Sequence, residues 1–316
     1  METTRRLSSD DLPVVKGRVY HLDLAPEELA QDIVVVGDPD RVPLLADELL
    51  LGREVDRCHR GFRTITGVAR ETGLRVSFVT SGIGAPSTEI VLNELAALNE
   101  INLRTMTRKA SFAPLHVVRV GTSGGLAPAT PVGTLVITDI SIGLDNTGLF
   151  YDIPAPDESC LYLEREAKRV LDAAAPAGAR FAGAIVPYAA RADRELVAIL
   201  HEQAEVLQIL HRRGITVSSA GFFAEQGRGV ARTRPTVAGL LDAIGGIDTG
   251  AVGLAIENME MEAGFLLHFL GGLGYRAAVV CVVINKRGTG EFMVDYRQQV
   301  LDGARLALGA FRRLRR

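Results

Sequence analysis

Short apolar runs alternate with amphipathic stretches along almost the whole chain. Their periodicity predicts strands over Ile33–Val36, Thr64–Ala69, Leu74–Thr80, Leu115–Val120, Leu135–Ile140, Ala184–Pro187, Ile215–Ser218 and Ala277–Ile284. Helices are predicted over Val42–Leu50, Ser87–Leu98, Glu158–Ala174, Asp193–Arg212, Pro235–Ala243, Met259–Leu270 and Glu291–Leu314. Valine-rich runs without polar alternation need cover on both faces, and intervening helices supply it. The pattern predicts an α/β fold, a mixed and mainly parallel sheet with helices on both sides. No Gly/Ser/Pro linker divides the chain and no repeat recurs, so residues 19–316 read as one domain behind an N-terminal extension at 1–18. The polar, aperiodic, basic stretch Asn99–Pro114 reads as a surface-loop insertion.

Composition narrows the function. A chain of 316 residues with 47% hydrophobic and 23% charged content buries a sizeable core and is not disordered. A net charge of −3 exerts no global pull on nucleic acid or a membrane surface. The basic tail Arg312–Arg316 suits the C-terminal end of a helix. Three widely separated cysteines, Cys58, Cys160 and Cys281, make neither a disulfide framework nor a metal cluster and fit a reducing cytoplasm. The opening stretch has no apolar signal core, and the longest apolar run, Ala277–Ile284, is too short to span a bilayer.

The most informative residue is Arg119, which ends the run Leu115–Val120 and leads into a glycine-rich turn, Gly121–Gly125. Burying an unpaired guanidinium is costly, so something anionic belongs beside it. Either a carboxylate of the chain neutralises it, or a bound oxyanion does, helped by backbone N–H groups of the turn and the Thr122 hydroxyl. A second junction of the same kind follows Ile33–Val36, where Gly37-Asp-Pro-Asp-Arg41 opens a helix. Gly37 permits close backbone approach, and Arg41 can present a two-pronged donor to phosphate or carboxylate. In open α/β sheets, ligands bind at the carboxyl ends of strands.

Other segments add chemistry. Gly82-Ile-Gly84-Ala-Pro-Ser87 fails the dinucleotide pattern, because Ser87 stands at the third glycine, and reads as a tight strand-to-helix turn beside a ligand. The acid cluster Glu257–Glu262 reads as a helix start. On a helix, Glu260 and Glu262 do not share a face, which argues against a paired-carboxylate glycosidase. One inward carboxylate could still accept from two vicinal sugar hydroxyls, with the Met261 thioether against the furanose. Gln226 and Arg228, two apart, can read a planar ring on which Phe222 or Phe223 stacks. His21 and His59 stand in isolated polar clusters, and no HExxH, CxxC, Walker loop or Ser/His/Asp order is present.

Together, VYHLDL, GDPDRV, CHRGF, TSGIGAPST, VRVGTSGG, GFFAEQGR, NMEMEA and VVCVVINKR, in this order from about His21 to Arg287, resemble the nucleoside phosphorylase superfamily, and within it most closely the uridine phosphorylases. The resemblance implies a single domain with a twisted, partly barrel-like mixed sheet surrounded by helices. It implies that Gly37, Arg41, Arg119 and Thr122 hold phosphate, with Arg60 reaching in from a neighbouring subunit. His21, also from a neighbour, would meet the ribose 5′-hydroxyl. Met261 and Glu262 would hold the sugar, Phe222 would stack near base and sugar, and Gln226 with Arg228 would read uracil. Arg41, Arg119, Arg228 and Glu262 would carry catalysis, in a homodimer or trimer of dimers with shared sites.

The implied reaction is reversible phosphorolysis of uridine to uracil and ribose 1-phosphate, in the cytoplasm, with inorganic phosphate as co-substrate and no metal or organic cofactor. Positioning and charge carry such chemistry: phosphate beneath C1′ stabilises the oxocarbenium character that develops as the glycosidic bond breaks. The sequence departs from the family at Gly61, where many bacterial relatives have a glutamate of a monovalent-cation site. Lys286 replaces an arginine after the Asn, with Arg287 one place on. A purine enzyme of the same fold, a hydrolytic nucleosidase and a silent nucleoside-binding member are the rival readings. Arg119→Ala is expected to abolish phosphorolysis with the fold intact.

Overall fold

The computed structural model describes residues 5–315, so residues 1–4 of the expected extension and Arg316 lie outside it. The chain begins with a small hairpin, β1 (Val14–Val15) and β2 (Arg18–Val19), turned at Lys16 and Gly17, both with positive φ. There follow β3 (Asp32–Val36), α1 (Arg41–Leu49), β4 (Val55–His59), β5 (Phe62–Val68), β6 (Arg75–Thr80) and α2 (Ala85–Glu100). A second hairpin, β7 (Ile101–Asn102) and β8 (Thr107–Arg108), leads to β9 (His116–Gly125), β10 (Leu135–Gly143), α3 (Glu158–Ala174), β11 (Tyr188–Arg191) and α4 (Arg194–Val206). The chain continues with β12 (His211–Ser218), α5 (Leu240–Gly245), β13 (Ile256–Glu260), α6 (Ala263–Gly272), β14 (Arg276–Lys286) and α7 (Arg297–Leu314).

Five strands close into a ring. β9 pairs with β14, β14 with β10, β10 with β12, β12 with β13, and β13 returns to β9. From β9 the same sheet runs outward through β3, β6, β5 and β4, and β11 flanks β10. This is the mixed, partly barrel-like α/β sheet that the resemblance implied. One apolar core lies between the sheet and α1, α2, α4, α6 and α7; a second, around Leu163, Leu171, Val217 and Ile244, fills the space beneath α3 and α5. Among the described residues, no helix is long and apolar enough to cross a membrane.

The ring leaves a notch. β3 runs beside β9 only as far as Val35 opposite Arg119, and β13 joins that edge only at Gly124 and Gly125. Between them Val120–Ser123 have a registered strand partner on the β14 side alone. The glycine run expected to be a turn is therefore strand, with backbone polar groups facing the notch where a ladder would otherwise use them.

Other differences follow from local chemistry. Ala184–Pro187 is not a strand; pairing with β10 starts at Tyr188, past a proline that has no N–H for a ladder. The helix expected over Asp193–Arg212 stops at Val206, and Gln208 turns the chain with φ 55° into β12. The helix expected from Pro235 begins at Leu240, after Gly239 with φ 60°. β4 escapes notice because it is a polar edge strand, braced where Asp56 accepts from Arg53 and Arg63. The expected insertion at Asn99–Pro114 opens inside α2 and contains the β7–β8 hairpin. Lys109 Nζ ties it back to the Asn99 carbonyl at 2.8 Å, and Glu100 accepts the Tyr275 hydroxyl at 2.6 Å.

α6 is buried along most of its length, so its alternating face is lost and only packing places it. Its first turn presses on the sheet at Gly264, where a Cβ would stand 2.9 Å from the Gly143 Cα and 3.1 Å from the Ser218 Cβ. Gly264→Ala is therefore expected to destabilise the protein by about 1–3 kcal/mol in urea denaturation. Gly271→Ala, on the same helix with open space around it, should be neutral or stabilise by roughly 0.5–1 kcal/mol. Equal effects at the two positions would refute this tight seating of α6.

Candidate active site

A cavity of about 590 Å³ is lined by Thr122 and Ser123 of the notch. Gly37 and Arg41, from the β3–α1 junction, also line it, as do Arg119 of β9 and Met261 and Glu262 of the β13–α6 junction. The segment after β12 adds Phe222, Gln226 and Arg228. Nine positions singled out in the sequence thus share one space. His21 and Arg60 are not among its walls. His21 donates its backbone N–H to Glu94 at 2.7 Å, and its Nδ1 lies 2.8 Å from the same carboxylate. Arg60 is exposed, its guanidinium 5.4 Å from the centre of the Tyr20 ring.

Arg119 anchors the cavity. Its side chain lies over the next residue but one on the same strand face, where a Cβ on Gly121 would stand 2.0 Å from Nη1. Only glycine there lets the guanidinium fold against the strand. Nη2 donates to Glu262, Nη1 lies 3.3 Å from Glu260 and 3.1 Å from Cys281 Sγ, and the buried Nε has no partner among the described residues. Burial works against the charge, but Glu262, Cys281 and Glu260 outweigh it and hold Arg119 more firmly protonated than usual. One guanidinium cannot neutralise two buried carboxylates. Burial accordingly pushes the Glu262 carboxyl up to about 7, Arg119 opposing and Glu260 adding to the shift. The thiol of Cys281 is pushed up to about 12 by burial.

Of the two alternatives raised for Arg119, the internal one is observed: Glu260 and Glu262 face it, and an open cavity adjoins the group. This corrects two expectations. Glu260 ends a strand and Glu262 precedes α6, so helical spacing does not apply and both carboxylates reach the same guanidinium. Glu260 also accepts the N–H groups of Glu262 and Ala263 at 2.9 Å, fixing the junction. Removing Arg119 would leave this buried pair of acids unpaired, so Arg119→Ala is expected to cost stability as well as activity.

The loops around the cavity are held by glycine and by Glu262. Gly82 and Gly84 both have positive φ, and the Gly84 N–H donates to Glu262 at 2.6 Å. A Cβ on Gly82 would collide with Ser87 Oγ, and one on Gly84 would stand 3.0 Å from the Ala220 carbonyl oxygen. That is the tight turn expected from the sequence.

A second polar cluster stands on the opposite chemistry. Arg228 donates to the Phe222 carbonyl at 2.7 Å and to the Gln226 side-chain oxygen, and its guanidinium lies 3.8 Å from the centre of the Phe222 ring. Burial, then the nearby Arg287, lowers the Arg228 pKa below the ordinary arginine value. Arg287 donates to the Gln226 carbonyl at 2.7 Å, whereas Lys286 turns away to the Pro128 carbonyl. The arginine displaced by one place is the one that meets this cluster. With Phe222 as a platform and Gln226 as donor and acceptor, the group can grip a flat, polar, anionic ring.

Several residues at or behind the cavity wall carry no local sequence signal for that place. Glu260 was hidden by the helix assignment, although the alternation Asn258-Met-Glu260 is a strand signal. Ile83 and Asn285 also line the cavity; an apolar residue in a turn and a polar one ending a strand give no warning by themselves. Cys281 reads as core in any apolar run, and only its register beside Gly121 brings it to Arg119. Among the described residues, no group of three or more metal-ligating side chains is assembled.

Residues 31–312 match the family described as the phosphorylase superfamily. The chain is 30% identical over 279 residues to the uridine phosphorylase of Thermococcus kodakarensis, covering 88% of this chain and 80% of that one. It is 29% identical over 276 residues to the uridine phosphorylase of Escherichia coli, covering 86% and 87%. Among solved structures, a Trypanosoma brucei nucleoside phosphorylase reported to show uridine phosphorylase activity superposes with a TM-score of 0.83 at 26% identity, covering 95% of this chain and 99% of that one. The closed ring of strands, the arginine at its notch and these likenesses agree: the chain belongs to the phosphorylase superfamily.

Proposed function

We propose that the protein is a uridine phosphorylase, a pentosyltransferase that converts uridine and phosphate reversibly to uracil and ribose 1-phosphate. The observation that carries this reading is one cavity with two kinds of grip. Arg41, Arg119, Thr122 and Gly37 suit an oxyanion, while Phe222, Gln226 and Arg228 suit a flat polar base, with Met261 and Glu262 in the same walls. The named relatives, all acting on uridine, point the same way.

The residues divide the work. Phosphate entering the notch competes with Glu262 for Arg119 and draws on the strand edge. Glu262, released from Arg119, accepts hydrogen bonds from the two ribose hydroxyls and fixes C1′ above the phosphate. As the glycosidic bond lengthens, phosphate charge steadies the positive sugar, and Arg228 with Gln226 takes up the negative charge growing on uracil. Phosphate oxygen then bonds to C1′, and the bonding pair leaves with N1 of the base. Neither a metal nor an organic cofactor enters this scheme. His21 and Arg60 would complete the site from a neighbouring copy, in a homodimer or a trimer of dimers. The free cysteines suit a reducing cytoplasm, where such an enzyme would serve pyrimidine nucleoside metabolism.

Two experiments test the reading. Uracil release from uridine should require phosphate and exceed release of base from thymidine or inosine; a faster rate with inosine would make the enzyme a purine phosphorylase, and release without phosphate a hydrolase. Arg119→Ala should lose measurable turnover and about 3–5 kcal/mol of stability, because two carboxylates lose their counter-charge. Wild-type turnover in that variant would contradict the phosphate assignment.

Glu262 predicts a pH signature in the ligand-free protein. A carboxyl raised from 4.5 to about 7 contributes stability that is fully present below its unfolded value and lost as pH rises through its folded one. Wild-type stability measured relative to Glu262→Gln should therefore fall as pH rises between those values, in urea denaturation. A difference independent of pH would show that Glu262 does not take up the proton.

A further inference from the structure

Arg41 differs from Arg119 in how it is held. It stands at the first position of α1, with its side chain mostly buried, but its one ion pair within 4.0 Å among the described residues is with Asp38, 3.8 Å away on a half-exposed side chain. That separation is too long for a hydrogen bond, so the ion pair does little to orient the guanidinium. What orients it comes from the far end of the chain. Tyr296 immediately precedes α7, its hydroxyl oxygen accepts from Arg41 Nη2 at 3.3 Å, and its ring centre lies 5.4 Å from the guanidinium carbon. Tyr296 itself does not line the cavity. The neighbouring Arg297 donates to Glu48 of α1 at 2.7 Å, so two successive residues of the α7 start clasp the helix that carries Arg41.

We propose that Tyr296 is a positioning residue for Arg41: its ring and hydroxyl hold the guanidinium ready at the anion site, so that α7 sets the affinity for phosphate. This rests on the cavity being the phosphate site proposed above. A free arginine side chain samples many rotamers, and fixing it on binding costs affinity. A guanidinium already held against an aromatic face by a hydrogen bond has met that cost during folding. The contact involves neither sugar nor base, so its loss weakens phosphate binding selectively.

The test is initial-rate kinetics on the full chain with phosphate and uridine varied in turn, for wild type, Tyr296→Phe, Tyr296→Leu, Arg41→Ala and the double variant Arg41→Ala/Tyr296→Leu. Tyr296→Leu should raise the KM for phosphate about 3- to 30-fold, while kcat and the KM for uridine stay within about two-fold. Tyr296→Phe keeps the ring and should give a smaller rise in the same constant. In the Arg41→Ala background, Tyr296→Leu should add nothing, because the residue it orients is gone. An unchanged phosphate KM in Tyr296→Leu overturns the proposal, as does an equal rise with Arg41 already removed. Should Tyr296→Leu not fold, Tyr296→Phe decides alone, and an unchanged phosphate KM there overturns it. Turnover of wild type independent of phosphate would instead overturn the reading of the cavity, a separate outcome from unchanged Tyr296 variants of a phosphate-dependent enzyme.

Discussion

A single buried guanidinium faced by two carboxylates is the interaction around which this structure is arranged. Arg119 lies within the sheet where water cannot solvate it, so its charge must be matched from inside, and Glu260 and Glu262 converge on it from the β13–α6 junction. The match is uneven by design of the chain: two acids, one base, and an unpaired Nε. The cluster holds one negative charge too many for a closed core, a cost relieved when Glu262 takes up a proton or finds hydroxyl donors elsewhere. In the proposed reaction, such a site exchanges an internal partner for an anionic ligand.

The ring of strands makes that exchange possible. Had β3 or β13 extended by a few residues, the edge of β9 between Val120 and Ser123 would be sealed by a ladder. Both stop short, and the glycines at 121, 124 and 125 keep that stretch bare. At Gly124 a Cβ would stand 3.3 Å from the Arg287 side chain, so the same glycine that opens the notch also lets Arg287 pass towards Gln226. Backbone geometry and the proposed anion and base grips are thus linked through one strand. α6, seated on Gly264, brings Glu262 to this strand, and α7 reaches Arg41 through Tyr296.

Much of this was legible in the sequence, and the reasons differ by element. The buried strands of the centre were readable because runs such as Ile33–Val36 and Ala277–Ile284 have no other stable home. Arg119 and Arg41 were readable because each puts a charge beside a glycine at the end of such a run. β4 was not, since a polar edge strand has no hydrophobic signature, and β13 was masked by glutamates that resemble a helix start. That masking hid the convergence of Glu260 and Glu262, which exists only because the chain changes from strand to helix between them. Tyr296 was beyond reach for another reason: it meets Arg41 across some 255 residues of chain, and no local pattern records such a contact. The places of His21 and Arg60 belong to a neighbouring copy in the proposed assembly, and a single chain leaves them apart from the cavity.

In the proposed reaction the Arg119 notch hands phosphate, not water, to C1′ of a pyrimidine nucleoside. Phosphorus-31 NMR of the protein incubated with uridine and inorganic phosphate tests it directly. A sugar 1-phosphate resonance should grow in step with free uracil while the inorganic phosphate signal declines by the same amount. Uracil appearing with the phosphate signal undiminished, or no change in either, would contradict it.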